Sequence, residues 1–443
     1  MITFMIVVFV IGYLMIAIEH VLEVNKATFA LLMAGVLWTI LSASGLVSDL
    51  DQNLLGHLGE TCETLVFLIG AMIIVELIDK YKGFNFITNY IHSHSKRRLL
   101  ITVTIITFFM SAVLDNMTTT IVMVMMLRRL LSEQSDRWLF AGVVVIAANS
   151  GGAWSPIGDV TTIMLWMNDN VTSSKLIANL FVPCIVSAVI PACMACTMIK
   201  NNTMEHAKPV AEAQLAVINP RLSRLVLITG VAGLLFVPIF KTLTGLPPFV
   251  GMMISLGVLW LMTEIIVRKC NLDPSIEGRV SQVVRNIDMP TILFFLGILL
   301  AVGALQSAGI LTEIANFLDR TIHEPFIINT IIGILSSVID NVPLVAACMD
   351  MYPVLDPAML STLADPVYSQ NFVVDGLFWQ LLSFCAGVGG SILIIGSAAG
   401  VVAMGLEKIS FWWYLKRISF MALIGYLGGI ATIWLEHAII GIG

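Results

Sequence analysis

Two carboxylates stand where a charge is hardest to keep. Asp115 lies in the run Ser111-Ala112-Val113-Leu114-Asp115-Asn116-Met117-Thr118-Thr119, and Asp340 in Ser336-Ser337-Val338-Ile339-Asp340-Asn341-Val342-Pro343-Leu344. Each is a serine, a short apolar stretch, then Asp-Asn, embedded in sequence apolar enough for a bilayer. A carboxylate at that depth is costly without a partner, so it reads as functional. The motif occurs once in each half of the chain. That pattern marks an internally repeated carrier with one shared site where the repeats meet.

A second signal repeats with it. Gly151, Gly152 and Gly158, with Pro156 and Asp159 among them, correspond to Gly389, Gly390 and Gly396. The glycine copies stand slightly further apart than the Asp-Asn copies, which fits an insertion within 353–371. Glycine permits unwound backbone and proline removes a helix donor. Each stretch therefore reads as a helix broken near mid-membrane, whose free carbonyls and half-helix ends can meet an ion. Gly-Gly also serves close helix packing, but its pairing with an Asp-Asn hairpin in both halves favours the broken helix.

The polar residues gathered by these motifs are hard oxygen donors. One half offers Asp115, Asn116, Thr118, Asn149, Asp159, Thr161 and Thr162; the other offers Ser336, Asp340, Asn341, Ser391 and Ser397. Carboxylate, amide and hydroxyl oxygens without a soft ligand suit a hard cation. Na⁺ or Li⁺ is expected at Asp115, Asn116, Asp340 and Asn341, with Asp159 as a further ligand or proton carrier. A carboxylate substrate would instead call for neutral tips and helix N-termini. Burial disfavours a charged carboxyl group and a bound cation favours it. Such a group holds either a proton or Na⁺, the minimum requirement of sodium/proton antiport. The alternative is Na⁺-coupled uptake of a citrate-like or dicarboxylate anion. A remote third reading, an intramembrane aspartyl hydrolase using Asp115 and Asp340, lacks the Tyr-Asp partner motif.

The elements that must position these residues follow from hydropathy. Apolar runs near 2–18, 27–46, 62–79, 138–167 and 174–199, then 222–240, 248–268, 290–310, 372–406 and 411–436, have the length of membrane spans. The N-terminal run has no basic segment or cleavage pattern and reads as the first span. Two stretches, 98–131 and 326–352, carry the Asp-Asn motifs near their middles and read as re-entrant hairpins, tolerated at that depth when buried in protein. The expected fold is an all-α polytopic membrane protein. Its first repeat covers 1–199 (hairpin 98–131, broken helix 138–167), a cytoplasmic linker covers 200–221, and a second repeat covers 222–443 (hairpin 326–352, broken helix 372–406). With the first hairpin open to the cytoplasm, 20 of the 23 Lys and Arg residues fall inside, leaving Lys175, Lys241 and Arg320 outside. Both termini are then outside. Five spans plus one hairpin per half turn the second repeat upside down.

Segments 83–95, 277–287 and 312–322 read as short interfacial helices. Glu60, Glu63 and Glu76 are candidate proton-path residues, and Glu76 also suits a pair with a nearby lysine. His92 and His94 read as part of a solvated basic loop, with sensing of cytoplasmic pH as the alternative. The acidic outer segments 47–63 and 353–375 read either as a vestibule that concentrates cations or as simple depletion of basic residues outside.

With 58% hydrophobic and 12% charged residues in 443, and a mean hydropathy of +0.95, the chain is far from the roughly 25% charge of soluble domains. A net charge of −6 excludes a nucleic-acid footprint. Cys193 and Cys196 have no second ligand pair and read as packing. No P-loop lysine or His-Glu-x-x-His occurs, and no cofactor is expected beyond the transported ions.

These motifs resemble the NhaD-type sodium/proton antiporters of the ion transporter superfamily, relatives of the citrate and dicarboxylate carriers. The resemblance is carried by Leu114–Thr119, Asn149–Thr162, Ile339–Pro343 and Gly389–Ser391, with Glu19-His20 and Lys26-Ala27 at the start. It implies Na⁺(Li⁺)/H⁺ exchange in the bacterial inner membrane, two hairpins, two broken helices and a homodimer.

Overall fold

The computed structural model describes residues 1–17, 22, 24–45, 47, 49–83, 95–199, 220–269, 280–338, 341–363 and 365–440. Asp340, Glu19, His20, His92 and His94 lie outside the described residues, as do most of 83–95 and 200–221.

The described residues are predominantly helical, with no β-strand among them. In order come α1 (Ile2–Ala17), α2 (Lys26–Ser44), α3 (Leu50–Lys80), α4 (Lys96–Leu114), α5 (Asn116–Leu130) and α6 (Gln134–Ala153). Then come α7 (Val160–Met167), α8 (Ser173–Met198), α9 (Pro220–Thr244), α10 (Pro248–Lys269), α11 (Met289–Ser307) and α12 (Ile310–Thr321). The last six are α13 (Pro325–Ser336), α14 (Asn341–Met351), α15 (Leu377–Gly389), α16 (Ala398–Glu407), α17 (Phe411–Arg417) and α18 (Ser419–Ile440). Starts are set by side-chain caps that satisfy orphan backbone donors: Asn25 on Ala27, Ser95 on Arg98, Thr172 on Lys175 and Asp288 on Thr291.

Among the described residues, eight helices are long and apolar enough to cross a membrane, but length alone misreads one of them. The two arms α4 and α5 meet at Asp115 and return to where they began. Lys96 at the start of α4 pairs with Asp136 in the first turn of α6 at 2.6 Å. Arg128 near the end of α5 and Arg137 near the start of α6 both bind Glu407, the last residue of α16, at 2.6 and 3.0 Å. One basic face thus holds both ends of the first hairpin. The second hairpin, α13 and α14, has both ends on the opposite face. There Asp365 meets His323, just before α13, at 3.3 Å, and Tyr352, just after α14, stacks on Phe372 at 4.8 Å. The broken helices cross between the faces in opposite directions: α6 starts and α16 ends at the Glu407 cluster, while the Asn170 carbonyl beyond α7 accepts from the Asp375 amide beside the start of α15.

Two spans differ from their hydropathy limits. The 62–79 span belongs to a 31-residue helix, Leu50–Lys80, because its polar first turns contain no proline to stop it. The 411–436 run is cut at Ile418 into α17 and α18. Lys416 and Arg417 sit in the last turn of α17, where two cations resist entering hydrocarbon. The 312–322 segment forms the amphipathic α12, and within 277–287 single helical turns lie at Val280–Val283 and Val284–Asn286.

Around the centre the same contacts recur in both halves. A Cβ on Gly151 would lie 2.2 Å from the Phe108 carbonyl oxygen, and one on Gly389 would lie 2.2 Å from that of Gly333. Only glycine allows these backbones to touch. Ser111 donates to the Ala148 carbonyl at 2.6 Å and Ser336 to the Ala386 carbonyl at 2.8 Å. Ser111 and Ser336 open the two Asp-Asn motifs, and Ala148 and Ala386 each stand three positions before the Gly-Gly pair of their half. The first arm of each hairpin therefore clamps onto the broken helix of its own half. Across the halves, α5 packs on α16 and α14 on α7.

Candidate functional site

Helix ends assemble the site. Asp115 joins α4 to α5 with φ +81° and ψ 158°, a backbone region essentially reserved for glycine and costing on the order of 1–3 kcal/mol. Its carboxylate accepts from the Thr118 amide and the Thr118 hydroxyl, both at 2.8 Å. Asp159 closes the break between α6 and α7 and caps α7 through the Thr161 amide at 3.3 Å. Ser397 does the same for α16 through the Gly400 amide at 3.2 Å. Asn341 opens α14. Four helix N-termini, two from each half, thus come together, and their positive ends favour negative charge at the caps.

Asp159 is the hub. It is 2% exposed. Its Oδ2 accepts from Asn116 Nδ2 at 3.2 Å and from Asn341 Nδ2 at 3.5 Å, so one amide from each hairpin reaches the same oxygen. Asn116 Nδ2 also donates to Asn149 Oδ1 at 3.0 Å, and Asn149 Nδ2 donates to Ser397 Oγ at 2.9 Å. The network therefore links the first hairpin to both broken helices and, through Asp159, to the second hairpin. The Thr161 hydroxyl is fully buried with no hydrogen-bond partner, a spare oxygen two residues from Asp159.

The structure thus brings Asn116, Asn149, Asp159, Thr161, Asn341 and Ser397 into one neighbourhood. The Asp115 carboxylate and the Thr118 hydroxyl are engaged with each other, and Asp115 lines a cavity of about 70 Å³ beside Asn116, Val160 and Met252. The Thr162 hydroxyl donates to the carbonyls of Gly152 and Asp159 at 3.3 and 3.1 Å and holds the break in shape. Ser336 serves the helix clamp, and the Ser391 hydroxyl donates to the Val388 carbonyl at 2.6 Å, while the Tyr414 hydroxyl donates to the Ser391 carbonyl at 2.8 Å.

Away from the centre, Glu76 lies 4.0 Å from Lys80 and Glu60 lies 4.0 Å from His57. Glu63 is exposed on α3. Sequence reading passed over Gly387, whose missing side chain leaves room beside Asp159 Oδ2. The signal was its place two positions before Gly389, where the first half has Asn149 two positions before Gly151.

A helix N-terminus is a ready anion site. Here the chain's own Asp115 and Asp159 occupy that position at two of the four ends. The oxygens left over suit a cation.

Residues 6–369 match the citrate transporter family, CitMHS. The chain is 44% identical over 435 residues to sodium/proton antiporter 1 of Arabidopsis thaliana, covering 98% of this chain and 72% of that protein. It is 43% identical over 434 residues to sodium/proton antiporter 2 of the same plant, with 98% and 99% covered. The Na⁺/H⁺ antiporter NhaD of Vibrio cholerae is 29% identical over 453 residues, with 96% and 89% covered. A carrier rather than an enzyme, the chain belongs to the citrate transporter family and, within the ion transporter superfamily, to its NhaD-type sodium/proton antiporters.

Proposed function

We propose that the protein exchanges Na⁺, or Li⁺, for H⁺ by alternating access, with cation and protons competing for buried aspartates. The observation that carries this reading is the Asp159 carboxylate, 2% exposed and reached by an asparagine from each half. When Na⁺ binds, the carboxyl O–H bond breaks, the proton leaves to the open side, and the carboxylate takes the ion. After the carrier reverses, a proton from the other side displaces Na⁺. Asp159 is the central exchanger in this scheme, with the Asn116 and Asn341 amides donating to its carboxylate and the Thr161 hydroxyl as a neutral ligand. Asp115, at the tip of the first hairpin, completes the ion path in this scheme, together with Asp340 of the second Asp-Asn motif.

The two halves act as inverted repeats in this proposal. It draws on hairpins tethered to opposite faces and on broken helices that cross in opposite directions. The basic face is cytoplasmic and both termini are external. The host is an ion-tight energised membrane, the bacterial inner membrane in the first instance, and the working unit is a homodimer.

The test is purified protein in proteoliposomes with an acidic lumen and a trapped pH dye. Na⁺ or Li⁺ added outside should alkalinise the lumen, K⁺ should not, and Asp159→Asn should abolish the response. Equal responses to K⁺, or none to Na⁺, would refute cation antiport. Na⁺-driven accumulation of labelled citrate or succinate would establish the carboxylate symporter instead.

A further inference from the structure

Between α16 and α18 a short helix lies on the basic face. α17 has seven residues, Phe411–Arg417, and spans about 10 Å at 1.5 Å per residue, a third of a hydrocarbon core of about 30 Å. It begins four positions after Glu407. Its Trp413 packs edge-on against Trp138 at 5.2 Å, the same Trp138 whose Nε1 donates to the Glu407 carbonyl. The two sides of α17 differ. Trp412 is 66% exposed, with Lys416 and Arg417 exposed beside it, whereas Tyr414 is fully buried. Phe420, at the start of α18, is 63% exposed.

The outer side has the chemistry of a lipid headgroup layer. Among the described residues, Lys416 and Arg417 form no ion pair, while neighbouring carboxylates of this face are taken: Glu407 by Arg128 and Arg137, and Asp136 by Lys96. Tryptophan rings collect at the membrane–water boundary, and lysine or arginine held there attracts anionic headgroups. A zwitterionic headgroup presents its own ammonium beside the phosphate; only a net anion leaves the phosphate free for two cations. The inner side reaches the break in the second broken helix. The Tyr414 hydroxyl donates to the Ser391 carbonyl at 2.8 Å. Ser391 lies in the link between α15 and α16 that leads to Ser397, whose Oγ accepts from Asn149. Ala153 follows Gly151-Gly152 as Ser391 follows Gly389-Gly390, but the Ala153 carbonyl accepts from Ser383 of α15 at 3.1 Å. One break is therefore held from inside the core, the other by a helix on the membrane surface.

We propose that α17 is a docking strip for an anionic phospholipid. Lys416 and Arg417 take the headgroup phosphate, Trp412 and Phe420 lie along the acyl boundary, and Tyr414 passes the lipid's hold on α17 to the second broken helix. The effect on transport rests on the exchange reading; the binding of lipid does not.

Native mass spectrometry of the full-length protein in detergent, titrated with phosphatidylglycerol or phosphatidylcholine, tests the binding. Wild type should favour phosphatidylglycerol. Lys416→Gln with Arg417→Gln should weaken that binding roughly thirtyfold, the effect of two surface cations, and the charge-keeping pair Lys416→Arg with Arg417→Lys should retain it. Arg98→Gln with Arg268→Gln, which removes two exposed cations elsewhere, should leave the preference intact. Equal binding of both lipids, equal loss in the two neutralised pairs, loss in the charge-keeping pair, or full displacement by inorganic phosphate would each overturn the strip. In proteoliposomes, wild-type exchange should run several-fold faster with phosphatidylglycerol in the bilayer than in phosphatidylcholine alone. Tyr414→Phe should bind the lipid as wild type does and lose that gain; a gain kept overturns the coupling. Protein that prefers phosphatidylglycerol but exchanges neither Na⁺ nor Li⁺ refutes the exchange reading and leaves the strip standing.

Discussion

The Asn116 side-chain nitrogen lies 3.0 Å from Asn149 Oδ1 and 3.2 Å from Asp159 Oδ2, so one amide at a hairpin tip serves both ends of a broken segment. All three residues are 5% exposed or less. Asn116→Ala removes a hydrogen bond to a charged group, worth about 1.5–3 kcal/mol. The Na⁺ concentration for half-maximal exchange should rise roughly ten- to hundredfold. Titration of Na⁺-driven pH recovery in proteoliposomes checks this, and an unchanged half-saturation would remove Asn116 from the site.

Glu407 is 2% exposed on its side chain and receives both Arg128 and Arg137, which are 41% and 22% exposed. Trp138 Nε1 adds a bond to its backbone carbonyl at 3.0 Å. The cluster ties the base of the first hairpin to both broken helices. Removing one partner of a fully buried pair costs about 3–5 kcal/mol, and the solvent that reaches both arginines reduces this to about 1–3 kcal/mol. Glu407→Gln should therefore lower the thermal unfolding midpoint in detergent by several degrees. High salt should narrow the gap to wild type, because the arginines are partly solvated.

How far the sequence reveals this architecture depends on what kind of order is asked of it. Asp-Asn and Gly-Gly have local signatures and recur together in each half, which is why hairpins and breaks are expected from the sequence. The choice of hub is not. Asp115 and Asp159 look alike as sequence, yet Asp115 accepts from Thr118 within its own turn, while the Asp159 oxygen faces two other helices. Which carboxylate is held locally is decided by χ angles and neighbours, neither of which has a periodicity to read. The pocket lined by Glu60, Asn170, Gln306 and Asp350 was invisible for a related reason. Glu60 was visible as an unusual charge, but Gln306 and Asp350 are ordinary helix-end residues and Asn170 an ordinary loop residue until folding joins segments from both halves of the chain. Glu407 and its two arginines look like solvated helix-end charges until the hairpin folds back on α16.

Asp365 accepts the Tyr368 amide at 3.0 Å and lies 3.3 Å from His323 Nε2. The Tyr368 N–H first, and His323 second, hold its carboxyl below the ordinary carboxylate range. A depressed carboxyl contributes stability above its unfolded value, about 4, and loses it as pH falls through the lower folded value. Asp365 therefore stays ionised at every pH where exchange is assayed, about 6 to 9. Asp365→Asn should loosen the 353–376 segment, seen as faster limited proteolysis. It should leave the shape of the pH–activity profile unchanged. A shifted profile would give this surface link a role in pH control that its chemistry does not supply.

Gly387 stands at the second-half position that corresponds to Asn149, and the two halves differ there in a way that bears on ion size. A Cβ on Gly387 would lie 3.4 Å from Asp159 Oδ2 and 3.1 Å from Ala153 Cβ. The first distance is an ordinary contact; the second requires Ala153 to yield by a few tenths of an ångström. Gly387→Ala is thus tolerable, with an overpacking cost of about 1 kcal/mol, but it walls off the open side of the carboxylate with a methyl group. A smaller space penalises the larger ion more. The half-saturation for Na⁺ should rise more than that for Li⁺, so the variant should prefer Li⁺ more strongly than wild type does. Parallel Na⁺ and Li⁺ titrations of the same proteoliposomes decide it. An equal loss for both ions would mean that the methyl group acts on folding, and no change at all would place the ion elsewhere than at Asp159 Oδ2.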